Sequence, residues 1–276
     1  MKNNLITIGG YTVHGYGLMI AIGIIAAYLV AEFRAKRKNL DHEKIFSLTI
    51  WCFLGGILGA KLLYYITEIK NILADPSLLL DVGNGFVVYG GIIGGIFAGF
   101  LFCKRYKLNF FRYFDLVMPS IALAQGFGRL GCFLAGCCYG LETNSILGII
   151  FHESDYAPNG IRLIPTQLIS SGLDFLNFLA LVLIAKRVKA DGQVAGFYLI
   201  FYSVGRFILE FYRGDLIRGS VGVLSTSQFI SIFLLLFGCI LTFARGRFAK
   251  MEMGAETINE TANEIENETA NETEEK

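Results

Sequence analysis

Arg206, Glu210 and Arg213 stand at i, i+4 and i+7, a spacing that puts three side chains on one helix face. Glu210 can pair with either arginine there, leaving the other with spare positive charge. Arg129 lies within Gly128-Arg129-Leu130-Gly131, again inside a long apolar stretch, and Lys61 interrupts another. His14, Tyr16, Tyr89 and Gln167 are the further polar groups at the edges of such stretches. Ionisable groups inside apolar spans are costly and mark function by default. The planar fork of arginine meets phosphate oxygens in bidentate fashion, so this set points to an anionic ligand such as a phosphate headgroup. The competing reading is that Arg129, Arg206 and Glu210 form a structural ion pair or snorkel to the membrane interface.

The cysteines carry a weaker signal. Cys132, Cys137 and Cys138 cluster along the chain, whereas Cys52, Cys103 and Cys239 do not. No C-x-x-C pair or Cys/His spacing is present, so no metal site is expected. His14, His42 and His152 are dispersed. The cluster reads either as small apolar-like residues or as a redox-active group. No Gly-rich phosphate loop or Ser/His/Asp arrangement appears, and no cofactor is expected.

These residues must be positioned by membrane-spanning helices. The chain has 276 residues, 54% of them hydrophobic and only 17% charged, with a mean hydropathy of +0.55. Soluble domains are roughly 45–50% apolar. Crossing the hydrocarbon takes about 20 apolar residues, and seven segments qualify: Val13–Phe33, Ile45–Ile66, Phe86–Cys103, Phe114–Cys138, Thr166–Ala185, Val194–Tyr212 and Val223–Ala244. The expected fold is an all-α integral membrane protein occupying residues 1–250, with no removable signal peptide. Residues 251–276 repeat Asn-Glu-Thr-like units without aromatics and read as a disordered acidic tail.

Charge placement orients the bundle. Every odd segment is followed by a basic cluster: Arg34/Lys36/Arg37/Lys38, Lys104/Arg105/Lys107/Arg112, Lys186/Arg187/Lys189 and Arg245/Arg247/Lys250. The other loops are poor in Lys and Arg and include Asp75, Asp81, Glu142, Asp155, Asp215 and Arg218. The positive-inside rule then puts the N-terminus outside and the C-terminus in the cytoplasm. Even segments run outward and odd ones inward. Arg129, Arg206, Glu210, Tyr16, Tyr89 and Gln167 therefore converge toward the outer leaflet. No ionisable group is read in the inner halves. Gly55, Gly56 and Gly59, and Gly90, Gly91, Gly94 and Gly95, have the small-residue spacing that lets helices approach closely.

On these residues the chain resembles the prolipoprotein diacylglyceryl transferase family. The likeness runs through His14-Gly15-Tyr16-Gly17-Leu18-Met19, Gly59-Ala60-Lys61-Leu62, Tyr89-Gly90-Gly91-Ile92-Ile93-Gly94, Gly128-Arg129-Leu130-Gly131, Pro165-Thr166-Gln167-Leu168 and Gly205-Arg206-Phe207 through Arg213-Gly214-Asp215. The resemblance implies a multi-pass enzyme of the bacterial cytoplasmic (inner) membrane. Such enzymes move the diacylglyceryl group of phosphatidylglycerol to the lipobox cysteine of a preprolipoprotein, which is the first step of lipoprotein maturation. A thioether forms and glycerol phosphate leaves. It further implies catalytic roles for Arg129, Arg206, Glu210 and Tyr89. It implies substrate-binding roles for Arg129, Arg206, Tyr16, His14, Lys61, Gln167 and Arg213. This chain has Cys132 and Cys137 where the family pattern usually has Asn and Glu, Tyr89 where many members have His, and Lys61 where many have Arg. Three readings stand at this point. They are the transferase or a divergent paralogue with another lipid or acceptor, a membrane thiol oxidoreductase using Cys132, Cys137 and Cys138, and a transporter or binding protein for a phospholipid or small anion.

Overall fold

A computed structural model describes residues 4–8, 11–80, 83, 85–188, 190–215 and 219–246. The acidic tail, Asp81, Lys189, Arg218, Arg247 and Lys250 lie outside the described residues. Helices occupy all seven predicted segments: α1 (Gly15–Arg37), α2 (Glu43–Thr67), α4 (Val88–Arg105), α5 (Phe110–Ala135), α6 (Thr166–Ile184), α7 (Gln193–Glu210) and α8 (Thr226–Gly246). A short helix α3 (Ile69–Ala74) follows α2. Six of the long helices are apolar enough to cross a membrane. The exception, α7, is 18 residues long but spends Gln193, Arg206 and Glu210 within that length. Leu58, Leu62, Leu176, Leu183 and Phe243 point outward and stay exposed. A continuous apolar exterior of this kind suits lipid, not water.

Among the described residues, three small antiparallel strand pairs supplement the helices: β1 (Asn4–Ile8) with β2 (Tyr11–His14), β3 (Ile149–Ile150) with β4 (Arg162–Leu163), and β5 (Ser220–Val221) with β6 (Leu224–Ser225).

Two packing arrangements build the bundle. In the first, α2 and α4 meet through glycines. A Cβ added at Gly59 would lie 2.3 Å from the Gly90 oxygen, and one at Gly90 would lie 2.3 Å from the Gly59 oxygen. The two backbones touch, which is the packing role predicted for these glycines. In the second, α5 runs through the centre, with α1 on one side and α6 and α7 on the other.

Buried polar groups lock α5 in place at its first turns. Asp115 accepts hydrogen bonds from the backbone N–H groups of Gly192 (2.7 Å) and Ala195 (2.9 Å), capping α7 from a neighbouring helix. Arg34 donates to the Leu116 carbonyl. Asp115 is an ionisable group in the half of its helix where the sequence reading expected none. Its charge is tolerated there because the orphan donors of a helix start need an acceptor.

At its other end α5 stops at Gly136, whose left-handed φ of 77° turns the chain. The Cys137 N–H returns to the Cys132 carbonyl at 3.1 Å. The helix therefore ends three residues before Cys138, the limit predicted from apolarity alone. Residues 137–165 then fold into a cap with a small core of Phe151, Ala157 and Leu163. Backbone bonds from Leu141 N–H to Tyr212 O (2.9 Å) and from Gly214 N–H to Tyr139 O (3.1 Å) tie this cap to the end of α7.

Candidate active site

A cavity of about 1150 Å³ opens between α5, α6 and α7, beneath the cap. Arg129 reaches it from α5, Asp174 and Asn177 from α6, and Tyr202 and Arg206 from α7. The rest of the wall is largely apolar, including Leu168, Leu173, Phe201 and Val204. Thr143, Ser145 and Gly148 of the cap close one side. One end is thus cationic and polar while the walls suit hydrocarbon. That combination fits an amphiphile with an anionic head.

Arg206 is anchored twice through one nitrogen. Its Nη2 lies 2.7 Å from Glu210 Oε2, one turn further along α7. The same nitrogen donates to Ser227 Oγ at the start of α8, also at 2.7 Å. The contact with Glu210 is an ion pair rather than an aligned hydrogen bond. Side-chain exposures of 12% and 8% keep the pair from water, where screening would weaken it. Arg129 interacts electrostatically with Asp174 across the α5–α6 contact and with Tyr202 of α7. Each cavity arginine therefore has one carboxylate near it.

Arg213, predicted to share the face of Arg206 and Glu210, instead follows the end of α7. It binds Asp215 in bidentate fashion, Nε to Oδ1 at 2.9 Å and Nη2 to Oδ2 at 2.7 Å. The helix stops at Glu210, so the i+7 relation to Arg206 is lost. Of the two candidate partners, Glu210 takes Arg206.

Gln167, at the start of α6, is almost fully buried (1% exposed). It donates Nε2–H to the Cys137 carbonyl at 2.8 Å, and the Thr166 hydroxyl donates to the Cys138 carbonyl at 2.8 Å. Both residues hold the turn that roofs the site. Tyr16 packs on Gly131 from the α1 side and interacts electrostatically with Arg129, Cys132, Cys137 and Cys138.

Of the nine predicted site residues, Arg129 and Arg206 line the shared cavity; Tyr16, Gln167, Glu210 and Arg213 do not, and neither do Lys61, Tyr89 and His14. Lys61 sits on α2 with its ammonium 5.1 Å from the Tyr64 ring centre and 5.2 Å from those of Tyr65 and Phe86. Tyr89 is half-exposed at the start of α4, and His14 is exposed at the end of β2. The physical reason is lateral. The glycine-mediated α2–α4 pair packs mainly on itself, so Lys61 and Tyr89 are kept from the α5–α6–α7 side where the cavity lies.

The cysteine turn departs most from expectation. The sulfurs of Cys132, Cys137 and Cys138 all lie within 4.8 Å of one another. Hydrogen bonds from Cys132 and Cys137, then the nearby Arg213 guanidinium, hold the Cys138 thiol well below its usual range. The Cys137 thiol is pushed up, by its bonds to Cys132 and Cys138 and by burial. Burial opposes the charge of Arg213, but Asp215 and Cys138 outweigh it and raise its pKa.

Sequence reasoning passed over Asp174, Asn177, Tyr202 and Ser227. Asp174 carried a usable signal, since it is a carboxylate in the middle of an apolar segment. Ser227 carried none, because only the packing of α8 brings it to Arg206.

Comparison with known proteins adds a separate line of observation. A family model described as prolipoprotein diacylglyceryl transferase matches residues 3–244. A phosphatidylglycerol–prolipoprotein diacylglyceryl transferase of Clostridium tetani (strain Massachusetts / E88) is 49% identical over 250 residues, covering 91% of this chain and 100% of that protein. Two relatives from Clostridium perfringens (strain 13 / Type A) differ in their likeness. The one named phosphatidylglycerol–prolipoprotein diacylglyceryl transferase 2 is 50% identical over 233 residues, 84% of this chain and 91% of its own length. The one numbered 1 is 32% identical over 247 residues, 87% of this chain and 94% of its own length.

Proposed function

The chain belongs to the prolipoprotein diacylglyceryl transferase family, and from that premise we propose that it transfers the diacylglyceryl group of phosphatidylglycerol to the lipobox cysteine thiol of preprolipoproteins. The observation that carries the reading is the shared cavity, into which Arg129 and Arg206 project from different helices with apolar walls beside them.

The chemistry requires a carbon–oxygen bond of the lipid to break as a carbon–sulfur bond forms. Glycerol phosphate leaves with the bonding electron pair, and the proton lost by the substrate thiol ends on the released phosphate or in water. The attacking sulfur belongs to the substrate, so the enzyme needs no nucleophile of its own. Its task is to hold the phosphate and stabilise the charge that develops on the leaving oxygen. Arg129 and Arg206 suit that task because guanidinium donors aimed at a phosphate need not reorganise during the reaction. Glu210 and Ser227 fix the direction of Arg206, and Asp174 provides a negative charge near Arg129. Leu168, Leu173 and Phe201 offer the acyl chains an apolar wall. Tyr16 and Gln167 act on the roof, Gln167 through the Cys137 carbonyl. His14, Lys61, Tyr89 and Arg213 are given no part in this step.

In this reading all seven long helices cross the inner membrane. The N-terminus is outside and the basic loops and acidic tail are cytoplasmic, as the Lys/Arg alternation supports. Membrane crossing by α7 is compatible with its two internal charges because Arg206 and Glu210 form a buried ion pair and Arg206 faces the cavity. The test is complementation of a bacterium depleted of its own diacylglyceryl transferase. Growth with lipidated reporter lipoproteins is expected. Good membrane expression without lipidation would redirect the assignment to another lipid or acceptor.

A further inference from the structure

We propose that Cys132, Cys137 and Cys138 form a three-thiolate binding site for a thiophilic d10 cation of the Zn2+ or Cu+ class. Three observations carry this, and none depends on the transferase reading.

The first is geometric. A cation bound at about 2.3 Å to each of three sulfurs sets those sulfurs roughly 4 Å apart. The three sulfurs here already lie within 4.8 Å of one another. The spacing C-x4-C-C lacks the usual ligand signature, but the turn supplies what the spacing does not. Gly136 at φ 77° reverses the chain, and Cys138 itself adopts a left-handed φ of 61°. Non-glycine residues adopt that conformation at a cost and keep it where surrounding structure enforces it. Gln167 and Thr166 supply that enforcement through the carbonyls of Cys137 and Cys138.

The second is electrostatic. Three thiolates around a divalent cation carry one net negative charge. Arg213 interacts directly with Cys138, and Arg129 interacts with Cys132 and Cys138. The surroundings therefore favour the metallated anion without a further counter-ion. The third is accessibility: all three residues are only partly buried, so an ion can reach them.

Binding exchanges thiol protons for the cation, so affinity must rise with pH. It must also stiffen the roof and raise the melting temperature.

The test uses the full-length chain in detergent under a thiol-free reductant, titrated with Cd2+ as a spectroscopic probe and Zn2+ for stoichiometry. One ion per chain is expected, with a thiolate-to-cadmium charge-transfer band. C132S/C137S/C138S must lose the band, while C52S/C103S/C239S must keep it. Each single Cys→Ser change in the turn must weaken binding by at least about tenfold, since even outer-shell partners of a metal are worth that much. Should the triple variant fail to insert, alkylation of the unaltered chain decides. Zn2+ must then slow modification of Cys132, Cys137 and Cys138 and leave Cys239 unchanged. Substoichiometric binding, a band that survives in the triple variant, or a disulfide within the trio in protein isolated without reductant would each overturn the proposal.

Discussion

Arg206 Nη2 lies 2.7 Å from Glu210 Oε2 and 2.7 Å from Ser227 Oγ, so one nitrogen ties two helices to the cavity wall. A guanidinium held this way presents its remaining edge in a fixed direction. Arg206→Lys keeps the charge but loses the planar fork. We expect transfer to fall by at least about tenfold, the level of one well-formed charged hydrogen bond. Ser227→Ala should cost less than Arg206→Lys, because Glu210 still holds the guanidinium. Initial rates at saturating phosphatidylglycerol check both.

Arg129 and Asp174 separate activity from stability. Arg129→Ala removes phosphate grip and strands a carboxylate inside the bundle, where an uncompensated charge costs about 2.5–3.5 kcal/mol. Asp174→Asn on that background removes the stranded charge. The double variant should therefore regain thermal stability in detergent while staying inactive. Recovery of transfer in the double variant would show that Arg129 matters only as a countercharge.

Backbone contact at Gly59 predicts a sharp steric limit. Gly59→Ala forces a Cβ to 2.3 Å from the Gly90 oxygen, which the helices can relieve only by separating. A loss of about 1–3 kcal/mol is expected for such overpacking. Gly172 on α6 has nothing within 4 Å of an added Cβ. Gly172→Ala should be neutral or stabilising by up to about 1 kcal/mol, as for an exposed helix glycine. Melting curves of the two variants provide the comparison.

Thiol reactivity in the cysteine turn should be ordered. The Cys138 pKa is lowered by its bonds from Cys132 and Cys137 and by Arg213, whereas that of Cys137 is raised. A lowered pKa means that thiolate is present at neutral pH and is lost only as pH falls through the folded value. Without added metal, alkylation of Cys138 should persist to lower pH than alkylation of Cys137. Peptide mapping after a pH series measures this directly. Arg213→Ala should move the Cys138 profile toward higher pH.

How far the sequence revealed this site follows from what hydropathy measures. An arginine in an apolar run is visible at once, and direction of travel gives its depth. Arg129, Arg206 and Glu210 are legible that way, and the two arginines do line one cavity while Glu210 pairs with Arg206. Depth says nothing about side, however, so Lys61 and Tyr89 were grouped with them although α2 and α4 pack on each other. Asp174 was legible by the rule that exposed the arginines. The cysteine geometry was not, because it depends on the left-handed turn at Gly136 and Cys138, which C-x4-C-C spacing does not announce. Ser227 became a partner of Arg206 only through the docking of α8.

The central claim is that Arg129 and Arg206 together hold a phosphatidylglycerol phosphate while a substrate thiol displaces it. Its most direct measurement is mass spectrometry of a lipobox peptide incubated with the purified chain and phosphatidylglycerol vesicles. The expected result is a peptide heavier by one diacylglyceryl group, attached as a thioether. Arg129→Ala and Arg206→Ala should each lower its rate of formation by at least about a hundredfold, the cost of removing one charge-stabilising donor. An unmodified peptide with the well-folded wild-type chain, or a full rate with either alanine variant, would contradict the account.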